Sequence, residues 1–259
     1  MNKKRASAAQ TMQAKLEVSS VQLATINDAK LPAGFASGCL MDYFGRRLLL
    51  TVAHAAHKGP PLALAVGWEP AMRRMKLWKV GGLNFLSRAQ LETGKTLDEM
   101  DVAQVDFGYV EVPADLKPRL EKVDPHTGNI LVSRACKIWP ASAIAEPRAG
   151  VRYGFAGLTK PSLEDHALLA EDVKFCCTEL RVCFPLSFAG QHDDICLFQL
   201  PFEHPGHDFF KGCSGAPIID EKGRVVALVC QGSIEDSMIY GISLRRYQFA
   251  LDIHTGRFG

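Results

Sequence analysis

The sequence lacks an excess of charge of either sign. Over 259 residues, 30 lysines and arginines face 28 aspartates and glutamates, a formal net charge of +2. A dedicated nucleic-acid binder more often carries a strong basic excess, so nucleic acid is not expected as a partner. Long apolar runs are missing too. The longest, Leu48 to His54, falls far short of the roughly 18 residues of a membrane-spanning helix, so no membrane partner is expected. The basic start Met1-Asn2-Lys3-Lys4-Arg5 is followed by Ala, Ser and Gln rather than an apolar stretch. No secretory signal is therefore expected. The eight cysteines are accordingly expected to be reduced thiols of a cytoplasmic protein rather than disulfides. Repeats and low-complexity tracts are absent. So is the paired C-x-x-C spacing of a structural zinc site. His54-x-x-His57, His204-x-x-His207 and Cys176-Cys177 with Cys183 are read as surface histidines and small core thiols, with no metal and no cofactor.

What remains is ordinary globular composition, 47% apolar and 22% charged, long enough for one large or two small domains. Residues 1–20 are polar, with a weakly helical piece from Gln10 to Leu16, and are expected to form an arm or short helix. From Val21 onward, short runs rich in Val, Leu, Ile and Phe alternate with Gly, Pro and Asp. Leu48–Ala53, Leu62–Val66, Phe107–Val112, Val151–Phe155 and Arg224–Cys230 are examples. Runs of this length between turn residues predict strands, and their density predicts an all-β sandwich or barrel. The turn-rich stretch Lys117 to Thr127 is the best linker candidate. Arg245 to Ile253 has a helical pattern.

Three segments carry chemistry. Gly212-Cys213-Ser214-Gly215-Ala216-Pro217 places a serine between glycines, on a tight turn whose N–H groups can face a developing oxyanion. Leu49-Leu50-Thr51-Val52-Ala53-His54 ends an apolar strand in a histidine, the side chain best suited to general-base work near neutral pH. Asp101-Val102-Ala103-Gln104-Val105-Asp106-Phe107 brings aspartates to a strand, where they are poor formers and usually make a specific hydrogen bond.

In the order His, Asp, Ser, these segments resemble the trypsin-like serine peptidases of the chymotrypsin fold, in a bacterial-type intracellular form. Thr51-Val52-Ala53-His54 resembles the family's T-A-A-H. Gly212-Cys213-Ser214-Gly215-Ala216-Pro217 resembles G-D-S-G-G-P. Asp106-Phe107-Gly108-Tyr109-Val110 resembles the segment carrying the acid. Ala227 to Gly232 resembles the substrate-pairing strand, and Gly241-Ile242 the last pocket strand. An α/β-hydrolase, the rival fold, places its acid and histidine after the serine. Little chain follows Ser214, and Ala216 breaks that fold's G-x-S-x-G elbow.

The resemblance implies two packed six-stranded antiparallel β-barrels and a short C-terminal helix. Residues 1–20 would be the arm, 21–120 the first barrel and 128–254 the second. It implies a serine endopeptidase with His54, Asp106 and Ser214 as catalytic triad, and with Gly212 and Ser214 as oxyanion hole. Asp101 is an alternative acid; a six-residue strand Phe107–Val112 ended by Pro113 favours Asp106. Cys213 stands where secreted members carry an aspartate, so no zymogen-type ion pair is expected. As Ser214 directly precedes the second glycine, Cys213 is expected to pack beneath the loop. Asp208, with Gly232 and Gly241 leaving a pocket open, would select arginine or lysine before the cut. The expected partners are a protein or peptide substrate and, for a silent or gated binding module of the same fold, a regulatory protein.

Overall fold

The computed structural model describes residues 3–26, 32–56, 61–89, 102–124, 126–159 and 179–257. Among the described residues the chain is β apart from two α-helices, α1 (Lys3–Glu17) and the C-terminal α2 (Leu244–His254), and a few short helical turns. The first unit holds β1 (Val21–Ile26), β2 (Pro32–Tyr43), β3 (Arg46–Thr51), β4 (Leu62–Glu69), β5 (Arg74–Lys79), β6 (Asn84–Ala89) and β7 (Val102–Val112). Its strands pair antiparallel in the order β5-β4-β1-β2-β3-β7-β6. β8 (Arg119–Val123) and β9 (Ile130–Ala135) form a separate hairpin, and β10 (Ile138–Pro140) lies parallel to β2. The second unit is a closed antiparallel barrel. It comprises β11 (Arg152–Thr159), β12 (Glu179–His192), β13 (Ile195–Gln199), β14 (Pro217–Asp220), β15 (Val225–Ser233) and β16 (Met238–Ser243).

The closed six-stranded barrel matches the expectation for the second unit. The first unit differs: among the described residues its sheet runs through seven strands, with β10 as an eighth beside β2, and no hydrogen-bonded closure joins β5 to β6. β5 alternates exposed and half-buried side chains, and it carries Arg74, Lys76 and Lys79. It thus behaves as a charged edge strand, which discourages further pairing. The stretch read as a linker, 117–127, contains β8 instead. Its Glu121 accepts the backbone N–H of Trp68, while the Trp68 indole donates to Gly128 O at 2.8 Å.

The Leu48–Leu50 run is apolar on both faces because both are covered. Leu49 points into the first unit with Leu23, Leu40, Leu64 and Val110. Leu48 and Leu50 point the other way, into a core shared by both units and both helices. A strand buried on two faces reads as a continuous apolar run rather than an alternation. The turn between β2 and β3 is two residues, Phe44 (φ 48°) and Gly45 (φ 86°). Left-handed backbone at both positions matches the twist of a tight hairpin.

The N-terminal segment is a docked helix rather than a free arm. Met12 and Leu16 of α1 are buried in the shared core. α2 closes the other side. Tyr43 OH donates to Asp252 at 2.7 Å, and Tyr247 stacks on Phe107 with ring centroids 5.2 Å apart. Neither helix is long and apolar enough to cross a membrane.

Candidate active site

β3 delivers His54 to the cleft. The strand ends at Thr51, and a single helical turn, Ala53–Ala55, follows. Asp106 lies inside β7 rather than before it, between the buried Val105 and Phe107. Here β7 carries a bulge: Phe85 pairs with Gly108, but Ser87 pairs with Gln104. Pairing with β3 stops at Thr51 opposite Gly108. A bulge re-aims the side chains within it, and this one turns Asp106 toward the residue that leaves the end of β3. The His54 N–H donates to Asp106 Oδ1 at 2.9 Å. His54 Nδ1 lies 2.9 Å from Oδ2 and 3.1 Å from Oδ1. An ionised carboxylate there fixes the proton on Nδ1 and leaves Nε2 as the basic nitrogen. Asp101, the alternative acid, lies outside the described residues, as do His57, Cys176 and Cys177.

Ser214 sits on the loop entering β14. Cys213 N–H donates to Phe210 O and Ala216 N–H to Cys213 O, both at 2.9 Å. The N–H groups of Gly212 and Ser214 have no acceptor among the described residues. Gly212 (φ +103°) needs its glycine, since a Cβ there would lie 2.6 Å from Leu158 O. Cys213 is fully buried in the second barrel, and burial pushes its thiol up to about 12. Such a thiol is inert.

The serine loop is clamped to the first unit by two hydroxyl residues. Ser37 N–H donates to Ser214 O, and Ser37 Oγ donates to Gly212 O, each at 2.8 Å. Thr51 Oγ1 in turn donates to Ser37 O at 2.8 Å. Both residues are wholly buried. Thr51 is on the same strand as the approach to His54, so the clamp ties the serine loop to the histidine's own strand. On the far side, β15 brackets both parts. Gly215 N–H donates to Val229 O at 2.7 Å. The next residue, Cys230, lies close enough to Asp106 that the carboxylate adds to the effect of burial in raising its thiol to about 12.

Ser214 opens onto a cavity of about 320 Å³, with His204, Gln231 and Gly232 in its walls. Of the expected pocket residues, Asp208 and Gly232 line the cavity and Gly241 does not. Asp208 does not form a floor. The short turn His207–Phe210 carries it to the rim, where its side chain is 97% exposed and pairs with Lys211 at 3.8 Å. Gly241 is part of the barrel wall. A Cβ there would meet Ala227 Cβ and Ile218 Cδ1 at 2.8 Å, so its missing side chain serves core packing. Gly232 does line the cavity.

Sequence reasoning singled out neither Ser37 nor His204 as part of the site. The available signal for Ser37 was a small hydroxyl inside an otherwise apolar strand.

No family sequence profile matches the chain, and no curated protein matches it. Solved structures do. A serine endoprotease from Yersinia pestis aligns over 95% of this chain at 11% identity and TM-score 0.48, and this chain spans 65% of that protein. The inactive form of the Rv3671c protease of M. tuberculosis aligns over 93% of this chain and 90% of its own, at 13% identity and TM-score 0.47. Tobacco etch virus protease, complexed with product, aligns over 89% and 74%, at 11% identity and TM-score 0.46. All three scores lie below 0.5. The architecture described above rests on this chain's own strand pairing.

Proposed function

We propose that the chain is a serine endopeptidase with Ser214 as nucleophile, His54 as general base and Asp106 as the group that orients the imidazole. Ser214 Oγ attacks the carbonyl carbon of a peptide bond and passes its proton to His54 Nε2. The oxyanion that forms accepts hydrogen bonds from the N–H groups of Gly212 and Ser214, where one donor lowers the barrier by about 3–4 kcal/mol. Collapse expels the amine, which takes the proton from His54, and leaves an acyl-enzyme. Water, deprotonated by His54, then releases the acid and restores Ser214. The reading divides the chain into an N-terminal segment (1–20), a unit carrying histidine and acid (21–120) and a unit carrying the serine (128–254).

One observation carries this reading. The Asp106–His54 pair and a loop with two unengaged N–H groups are held together through Thr51 and Ser37, with no reacting group used in the clamp. The six cysteines among the described residues are unpaired, which supports a reducing compartment such as the cytoplasm. A preference for arginine or lysine would rest on Asp208, which lies at the exposed rim of the cavity and is paired with Lys211.

The test is cleavage of an unstructured protein by the full chain, read as new N-termini by mass spectrometry. Wild type is expected to cut, and Ser214→Ala and His54→Ala are not. Absence of cutting by a folded wild type would favour the silent or gated binding module instead.

A further inference from the structure

The wall of the cavity beside Ser214 is built around one buried imidazole. His204 lies on the chain between β13 and the His207–Phe210 turn, and only 7% of it is exposed. Two hydrogen bonds and two ring contacts hold it, one of the latter with His207 at 5.8 Å between centroids. Its backbone N–H donates to Ser237 Oγ at 3.1 Å, and its Nδ1 accepts the Gly206 N–H at 3.1 Å. Its ring meets the Phe210 ring edge-on, with centroids 5.4 Å apart. With Nδ1 acting as acceptor, the neutral ring must carry its proton on Nε2. That nitrogen lies directly over Gly232, where an added Cβ would come within 2.4 Å of it. Among the described residues Nε2 has no hydrogen-bond partner. Burial, and then the charge of His207, lower the pKa of His204 and favour this neutral form.

We infer that His204 Nε2–H is the specificity donor of this site, and that it takes the side-chain carbonyl oxygen of a glutamine or glutamate on the residue before the cut. The inference rests on the proposed peptidase reading and names its substrate class. A fixed N–H donor facing a cavity next to the nucleophile wants an acceptor. An aliphatic side chain would leave that donor desolvated and unpaired, which is costly. A cationic side chain would meet a donor of its own kind. Among the described residues no buried carboxylate lines the cavity to offset this: Asp208 borders it only from the exposed rim and is paired with Lys211. Carboxamide and carboxylate share the required oxygen. Gly232 acquires a reason as well: any side chain there would displace the imidazole.

The test uses the full chain and matched peptides that differ only in that residue: Gln, Glu, Arg or Leu. We expect the better of Gln and Glu to exceed both Arg and Leu in kcat/KM by about 10- to 100-fold, the range for a buried donor left unpaired. Which of the two leads tells amide from carboxylate. His204→Leu is expected to erase the preference, and Gly232→Ala, which keeps the histidine but moves it, to reduce it at least severalfold. Arg or Leu as the best residue, or an unchanged ratio in both variants, would overturn the inference. If no peptide is cut, the peptidase reading fails separately, and the pocket is tested by binding. Acetylated peptides ending in Gln, Glu, Arg or Leu are titrated into Ser214→Ala while the ¹⁵N resonance of His204 Nε2 is followed. Tighter binding of Gln or Glu, with a shift of that resonance, supports the inference. Equal or absent binding overturns it.

Discussion

Asp106 shows how one side chain can set the chemistry of another. Its two oxygens engage both the backbone N–H and the ring Nδ1 of His54, so the imidazole is held in position and tautomer together. Asp106→Asn keeps the shape but can place an amide N–H against Nδ1, which then takes the acceptor tautomer and loses its base. Turnover is expected to fall about a thousandfold to ten-thousandfold, while the melting temperature changes little. A fall of less than tenfold would contradict the role. Asp106, His54 and Ser214 were legible as residue types in a fixed chain order. The hydroxyl of Ser37 was not, because its partner Gly212 lies 175 residues further along the chain, and nothing local announces such a pairing.

At the scale of elements, the bulge in β7 and the clamp on the serine loop have the same effect. Each bends a strand end or turn so that two units meet at the cleft. Gly215 sits where they touch. At φ +88° its added Cβ would fall 2.1 Å from Ser37 O and 2.4 Å from Thr51 Oγ1. Gly215→Ala is therefore expected to abolish peptide cleavage without altering a reacting group. It is also expected to lower the stability to urea by at least about 2 kcal/mol, from left-handed backbone strain plus the clash. Activity and midpoint both near wild type would show that the clamp is dispensable. The strands themselves were legible from short apolar runs between turn residues. The start of β7 was not. A sequence reading begins the strand after Asp106, since aspartate is a poor strand former, whereas the structure runs it from Val102 and absorbs Asp106 in a bulge. The place of Asp208 at the exposed rim escaped for a similar reason: the loop conformation, not the spacing to Ser214, decides where a side chain sits.

For the whole molecule, the two units are held by a shared core into which α1 sends Met12 and Leu16 and α2 sends Leu244 and Leu251. Cys39, Cys183, Cys196 and Cys213 are buried in the interior, and Cys136 and Cys230 are half-buried. Burial pushes the thiols of Cys136, Cys183, Cys213 and Cys230 to about 12 and that of Cys196 to about 11. The unfolded chain loses those protons near about pH 8.5, whereas the folded chain keeps them. Their contribution to stability is therefore complete below that pH and drains away as pH rises toward the folded values. The melting temperature is expected to be steady near neutrality and to fall steeply between about pH 9 and 11. Cys213→Ala should make that fall shallower. A melting temperature that holds up to pH 11 would show that these thiols are not buried as described.

The central claim is that the cleft assembles Ser214 as an activated nucleophile, and covalent labelling tests it most directly. The full chain is treated with a fluorophosphonate probe and the modified peptide is located by mass spectrometry. The account predicts one adduct, on Ser214, present in wild type, absent in Ser214→Ala and strongly slowed in His54→Ala. An unlabelled wild type, or an adduct on any other residue, would contradict it.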